Sequence, residues 1–312
     1  MNVLVTGADG FVGSWLVPAL AARGHRVVAA VRADLPPVKR VWLDGAEEVG
    51  WYIGDATSVR PLIDRPLDAI VHLAAVASGG DALKDPATAW DVNTTGTARL
   101  AEVVAQHHGG VRGPLVLLVS SAEVYGVGAG HPRTEGDALL PVSPYAASKA
   151  GAEMALSEVG RRTGLRTMVA RAFAHTGPRQ DARFVIPAFA KRITGALRSG
   201  AASVPVGNLS PVRDILDVRD VVDAYARLLE RGTPGEVYNV ASGTGRSLAD
   251  IFQRLAVLAG WRGRPEPADD LLRPTDIPHL VGDAARLRGR TGWQPTIPFD
   301  ETLTEVLRAQ AD

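Results

Sequence analysis

Met1-Asn2-Val3-Leu4-Val5-Thr6 runs directly into Gly7-Ala8-Asp9-Gly10-Phe11-Val12-Gly13, and a helix-like stretch follows over residues 12–23. The apolar, β-branched run predicts a buried strand. The glycines fall at G-x-x-G-x-x-G spacing in the turn that leads from this strand into the helix. Glycine permits positive φ in a tight turn, and its missing Cβ lets backbone N–H groups approach a diphosphate at a helix N-terminus. The last glycine lets helix and strand pack closely. A glycine triplet alone can serve packing only. At the head of a strand–helix–strand series it reads as a dinucleotide-binding turn, which here would comprise Gly7, Asp9, Gly10, Phe11, Val12 and Gly13.

The series is present. Further strands are expected at residues 26–31, 51–53, 69–73, 115–120 and 167–171, with helices at 88–108 and 145–162. These strands lack polar alternation, so both of their faces are covered. The fold class predicted is α/β: a doubly wound parallel sheet with right-handed crossovers. Past Arg171 proline and glycine become frequent (Gly177, Pro178, Pro187, Pro205, Gly207, Pro211), and the expected elements are a helix at 220–229, a strand at 236–240 and helices at 248–258, 283–290 and 301–310. This predicts a smaller C-terminal α/β substrate-binding domain. Residues 1–171, with 212–241 returning to them, would form the dinucleotide-binding domain; 172–211 and 242–312 would form the second.

Composition removes several classes of function. The chain has 312 residues, 46% of them apolar, which suffices for a large core or two intimate ones. It has no Cys, so disulfides and thiol chemistry are excluded. Lys+Arg and Asp+Glu both number 34, leaving no electrostatic footprint for nucleic acid or an anionic membrane surface. No run approaches the roughly 18 apolar residues of a membrane span. The N-terminus is strand-like and carries no basic targeting region, so the expected location is the cytoplasm. Zinc-protease, CxxC and Walker motifs are absent, which leaves metal and phosphoryl-transfer chemistry without support.

The end of the second strand bears on the choice of nicotinamide cofactor. An acidic residue there would accept hydrogen bonds from a ribose 2′-hydroxyl. The sequence instead reads Val31-Arg32. A guanidinium suits a 2′-phosphate by charge and fork geometry, so NADP(H) is favoured over NAD(H). The alternative is a solvated Arg32 with Asp34 reaching the ribose. Asp55, after residues 51–53, is placed to contact the adenine, or else to cap a turn.

Ser120-Ser121 closes a strand, and Tyr145-Ala-Ala-Ser-Lys149 opens a helix 24 residues later. Tyr and Lys four apart share one helical face. An ammonium beside a phenol is expected to lower the phenol's pKa from about 10 and let it exchange a proton with an alcohol or sugar oxygen. Ser121 would orient the same oxygen. Only four of the basic residues are Lys, and Lys149 is one of them. His107-His108 reads as a solvated helix end, and His72 as packed or close to the cofactor.

TGADGFVG (6–13), HLAA (72–75), SSAEVYG (120–126), SPYAASK (143–149) and RDILDVRD (213–220) together resemble the extended short-chain dehydrogenase/reductases. The resemblance implies a Rossmann domain, a smaller nucleotide-sugar domain and a homodimer formed through a four-helix bundle. It implies catalysis by Ser121, Tyr145 and Lys149, with Asp55, Ala56, Leu73, Ala74 and Ala75 along the cofactor. HTGPRQ (175–180), residues 206–222 and RPTDIP (273–278) narrow the likeness to GDP-4-keto-6-deoxy-D-mannose reductases, near GDP-mannose 4,6-dehydratases. On that likeness Arg213 and Arg273 would bind the substrate diphosphate, and Val185 and the backbone near Asn208 would line the nucleotide pocket. Glu123 stands where dehydratases carry a base. Ala174 replaces an Asn usual in the family, which leaves the nucleobase open between GDP- and dTDP-linked sugars.

The reaction implied is NADPH-dependent reduction of a C4 ketone on a nucleoside-diphosphate 4-keto-6-deoxyhexose. The GDP-linked substrate would give GDP-D-rhamnose. Two alternatives stand beside it: a 4,6-dehydratase or 4-epimerase that retains its cofactor, motivated by Glu123, and a cofactor-sensing protein without chemistry, which would have no need of both Tyr145 and Lys149.

Overall fold

The computed structural model describes residues 1–33, 41–128, 130–272 and 277–311, except the side chain of Ala56. The first half runs β1 (Asn2–Thr6), α1 (Gly13–Ala22), β2 (Arg26–Arg32), β3 (Glu47–Trp51), α2 (Arg60–Ile63), β4 (Ala69–His72), α3 (Gly79–Lys84), α4 (Pro86–Trp90), α5 (Gly96–His108), β5 (Leu115–Ser121), α6 (Pro144–Thr163) and β6 (Thr167–Ala172). The second half runs β7 (Ala174–Thr176), α7 (Val185–Ser199), β8 (Ser203–Val206), β9 (Val212–Asp217), α8 (Val218–Arg231), β10 (Val237–Val240), β11 (Gly245–Ser247), α9 (Leu248–Ala259), β12 (Arg264–Pro267), β13 (His279–Leu280), α10 (Ala285–Thr291) and α11 (Phe299–Ala309).

Seven strands form one parallel sheet in the order β10-β6-β5-β4-β1-β2-β3. The strand order reverses between β1 and β4, so a crevice opens there at the carboxyl edge, where such sheets bind ligands. Period-two alternation divides β1 between the faces. Val3 and Val5 pack with Leu16 and Leu20 of α1 and with Val221 and Tyr225 of α8. Leu4 packs on the other face with Leu62 of α2, Leu100 and Val104 of α5 and Leu156 of α6. Both faces are thus covered, which is why these strands read as unbroken apolar runs. Leu16 and Leu20 are wholly buried, each contributing about 1.5–3 kcal/mol of transfer free energy.

A third apolar cluster joins α7, β8, α9 and α11 through Ile186, Phe189, Ile193, Val204, Phe252, Leu255, Leu303 and Val306. β9 does not join the large sheet; it pairs with β7, β11 and β13. The chain regains the large sheet through α8, on the face of α1, and through β10. Of the expected return of residues 212–241, Val212–Asp217 instead bonds to the smaller sheet, and the return begins with the helix at Val218 and reaches strand pairing at Val237.

Other expectations shift as well. The third strand is Glu47–Trp51 rather than 51–53, with Trp51 buried beneath it. The single helix expected at 88–108 is α4 and α5 joined by a π-helical turn, Asp91–Thr95. That turn directs Asn93 inward, where it accepts from Val76 N (2.8 Å) and donates to Ser148 Oγ (2.9 Å). The frequent proline and glycine past Arg171 do not announce α7, which nevertheless forms around Pro187. Pro187 sits in the first turn, where its missing N–H has no partner to lose. No helix among the described residues is long and apolar enough to cross a membrane.

Candidate active site

The glycine turn closes on itself through Gly10 N donating to Gly7 O at 3.0 Å, and Ser14 N then donates to Gly10 O at 2.9 Å. Gly7 has φ +67°, and a Cβ there would lie 2.9 Å from Ala74 N. A Cβ on Gly13 would lie 2.5 Å from Gly7 O. No side chain caps α1, and its first turn carries no acid. Its leading N–H groups and the positive end of its dipole therefore suit an anion in the β1–β4 crevice. Leu73 N donates to Thr6 O and Ala74 N to Thr6 Oγ1, which brings residues 73–75 against the glycine turn. Phe11 lies parallel to the His175 ring, 6.2 Å between centroids. The residues present fit a dinucleotide.

Arg32 ends β2 and is exposed, and its N–H donates to Asp9 Oδ2 at 3.3 Å. Asp34 lies outside the described residues. Asp55 accepts from Thr57 N and Thr57 Oγ1, both at 2.8 Å, so its carboxylate caps the turn that begins at Ala56. Thr57 accordingly holds the Asp55 pKa below the ordinary carboxylate range.

Beyond the crevice, β5 ends at Ser121, whose Oγ accepts from Glu123 N at 3.2 Å. Ser143 caps α6 by accepting from Ala146 N at 3.1 Å, and Pro144 occupies the first turn. This start places Tyr145 in the first turn and Lys149 one turn on. Lys149 is buried and donates to Val119 O at 2.6 Å. Burial lowers its pKa to about 8, against the opposing pull of the Glu153 carboxylate.

Tyr145 departs from the expectation. Its pKa lies above the usual value near 10, because burial and the facing Glu123 carboxylate both disfavour a phenolate, while contact with the Ser121 hydroxyl pulls weakly the other way. The Lys149 ammonium donates to the Val119 carbonyl, and burial with the facing Glu123 outweighs the Ser121 contact, which leaves the phenol protonated. His72 is packed: Thr6 Oγ1 lies 2.8 Å from Nδ1 and Thr97 Oγ1 3.2 Å from Nε2. Burial, reinforced by the Lys149 charge, lowers its pKa to about 3 and keeps it neutral.

The expected substrate residues are more dispersed. Val185 opens α7. Asn208 is exposed, and its Oδ1 accepts from Ser210 N at 3.0 Å and Ser210 Oγ at 2.8 Å. Arg213 on β9 donates from Nη1 to Ile277 O at 2.6 Å and Val212 O at 3.0 Å. Arg273 lies outside the described residues.

Three features escaped the sequence reading. Asn93 ties the loop after β4 to α6, beside Lys149; a π-helical turn leaves no periodicity to read. Arg179 adopts φ +74°, alone among described non-glycine residues, and its guanidinium lies 4.1 Å from the Trp15 ring centroid. Glu153, paired with Arg171, continues the Tyr145–Lys149 stripe by one more turn; the four-residue spacing was a signal that could have found it.

A doubly wound sheet with a glycine turn after β1, a Ser-ended β5 and Tyr-x-x-x-Lys at the start of α6 defines an extended short-chain dehydrogenase/reductase. More narrowly, the chain belongs to the family described as GDP-mannose 4,6 dehydratase, whose model matches residues 4–306. It is 34% identical over 310 residues to the GDP-6-deoxy-D-mannose reductase of Pseudomonas aeruginosa, covering 98% of this chain and 96% of the relative. It is also 34% identical over 318 residues to a UDP-glucose 4-epimerase of Mycolicibacterium smegmatis, covering 98% and 97%. A solved structure of RMD from P. aeruginosa complexed with NADPH superimposes with a TM-score of 0.85 at 31% identity, covering 100% of this chain and 99% of that one.

Proposed function

We propose that the protein reduces the C4 ketone of a nucleoside-diphosphate 4-keto-6-deoxyhexose with NADPH, converting GDP-4-keto-6-deoxy-D-mannose to GDP-D-rhamnose. The observation that carries this reading is the phenol of Tyr145, kept protonated beside the Ser121 hydroxyl and one helical turn from a buried cation. A group that holds its proton at neutral pH is suited to deliver it when a ketone becomes an alcohol. The similarity to the P. aeruginosa reductase, and to the structure complexed with NADPH, supports the choice of reaction and cofactor.

Bound NADPH supplies the hydride. The α1 N-terminus and Gly7–Gly13 turn would hold the cofactor's diphosphate, Arg32 would bind its 2′-phosphate, and Asp55, Ala56 and Leu73–Ala75 would contact the remainder. Tyr145 passes its proton to the C4 oxygen while Ser121 donates a hydrogen bond to that oxygen. Lys149 balances the charge left on the phenol. Val185, Arg213, Arg273 and the backbone near Asn208 would bind the nucleotide sugar, with residues 1–171 and the returning 212–241 as the cofactor unit and 172–211 and 242–312 as the substrate unit. The protein acts as a cytoplasmic homodimer.

Enzyme, NADPH and GDP-4-keto-6-deoxy-D-mannose should consume NADPH, read by absorbance; no consumption with authentic substrate rejects the assignment. A second reading, a 4,6-dehydratase or 4-epimerase, is favoured by one observation: the Glu123 carboxylate faces Tyr145. Stoichiometry separates the two. The reductase oxidises one NADPH per product, whereas the alternative turns over without added cofactor.

A further inference from the structure

Three side chains lie along one stripe of α6, four residues apart, and each meets the end of β5. Tyr145 contacts Ser121, Lys149 donates to Val119 O at 2.6 Å, and Glu153 accepts from Ser120 Oγ at 2.5 Å. The last contact is part of a buried network. Arg171 of β6 donates to Glu153 from Nη2 at 2.7 Å and from Nε at 3.1 Å to each carboxylate oxygen. Arg171 Nη1 donates to Tyr125 OH at 3.0 Å, and Tyr125 OH donates to Asn239 Oδ1 at 2.6 Å. Glu153 and Arg171 are each 6% exposed.

We propose that Glu153 is a positioning residue for the reduction: Ser120 and Arg171 clamp it so that it fixes α6 against the end of β5 and sets one negative charge a helical turn from the Lys149 ammonium. This rests on the reading of Tyr145 and Lys149 given above. Geometry carries the first half. A helix pinned at residues 145, 149 and 153 to three consecutive strand residues cannot rotate without breaking buried polar contacts, which is costly.

Electrostatics carries the second half. Other groups facing this stripe are few. His72 on β4 is neutral, Glu123 and the buried Tyr225 phenol of α8 face Tyr145, and Arg171 stands behind Glu153. Asp91 on the π-helical turn is exposed, while Asp81 of α3 pairs with Arg183 and Glu102 of α5 with Arg162. Burial works against the ammonium, and Glu153 is the group that opposes it.

With four lysines in the chain, protein carrying 13C-labelled lysine gives a tractable NMR spectrum in which the Lys149 signal can be titrated directly. In Glu153→Gln the Lys149 midpoint should fall by about one pH unit, and the alkaline limb of kcat/KM should move with it. A merely structural Glu153 would lower the melting temperature and leave the midpoint in place. If Glu153→Gln fails to fold with Arg171 left unpaired, Arg171→Gln is made with and without Glu153→Gln, and the difference between those two Lys149 midpoints, which isolates the Glu153 charge, decides. An unmoved Lys149 midpoint in the folded variant overturns the proposal. The NMR titration needs no turnover, so failure of the reductase reading would appear separately, as wild-type protein that does not oxidise NADPH with the keto sugar.

Discussion

Lys149 Nζ donates to the carbonyl of Val119 at 2.6 Å, two residues before Ser121, so the buried cation is anchored to the strand that carries the serine. With its pKa at about 8, Lys149 is charged below that pH and neutral above it. The raised pKa of Tyr145 keeps the phenol protonated through the same range. Reduction needs both the phenolic proton and the cation that offsets its loss. kcat/KM should therefore be level near neutrality and fall above about pH 8. Lys149→Met should be slow at every pH and lack that limb; a wild-type profile level to about pH 10 would remove Lys149 from the reaction.

Tyr145→Phe deletes the proton donor and preserves the ring. NADPH consumption should fall by a factor on the order of 10²–10⁴, while NADPH affinity, measured by fluorescence titration, changes little. A cofactor-sensing protein would keep all of its function in this variant, so unaltered behaviour would decide for that alternative.

Gly13→Ala places a Cβ 2.5 Å from the backbone oxygen of Gly7, in a turn with no room to move. A loss of roughly 1–3 kcal/mol is expected, together with weakened NADPH binding. Gly24 is the control: its φ is +78° and nothing lies within 4 Å of a Cβ there. Gly24→Ala should cost about 1 kcal/mol from backbone strain and leave cofactor binding intact. Equal cofactor affinity in the two variants would argue against the glycine turn as the diphosphate site.

His72 makes stability depend on pH. Its pKa is about 3 in the folded protein and near 6.5 when exposed. The unfolded chain therefore takes up a proton below about pH 6.5 that the folded chain refuses until about 3. Stability from this group is complete above the upper value and declines as pH falls through the window, by at most about 1.4 kcal/mol per pH unit. His72→Gln should be less stable than wild type near neutrality, and the gap should narrow on acidification. Denaturant unfolding at pH values near 7 and 5 tests it; a constant gap would mean that His72 is not held neutral.

The nucleobase can be read by ligand-induced stabilisation. A ligand that binds only the folded state adds about 2.7 kcal/mol at a hundred times its Kd. GDP should raise the melting temperature more than dTDP at equal concentration. The reverse order would point to a thymidine-linked substrate, in keeping with Ala174 in place of the usual Asn.

Much of the frame was legible because each cue is local. The apolar runs of β1, β4 and β5 announce strands covered on both faces, and the spacing from Gly7 to Gly13 announces a dinucleotide turn. Tyr145 and Lys149 could be placed on one face for the same reason, since a helical repeat is a property of the chain itself. Cues failed where a local rule has two outcomes: Pro187 breaks a helix from inside yet opens one in α7, and the segment 88–108 does not disclose that Asn93 interrupts it with a π-helical turn.

What the sequence by itself determined is the set of parts: the dinucleotide turn, the serine at the end of β5, and the phenol and amine one turn apart. Only the tertiary structure decided their electrostatic state. Whether Lys149 tunes Tyr145 depends on which way the ammonium points and how far water is excluded, and both are set by residues distant along the chain. Val119 takes the ammonium, Glu123 faces the phenol, and Arg171 locks Glu153 beneath them. Burial and charge are sums over neighbours in space, and the neighbours exist only once the sheet has assembled.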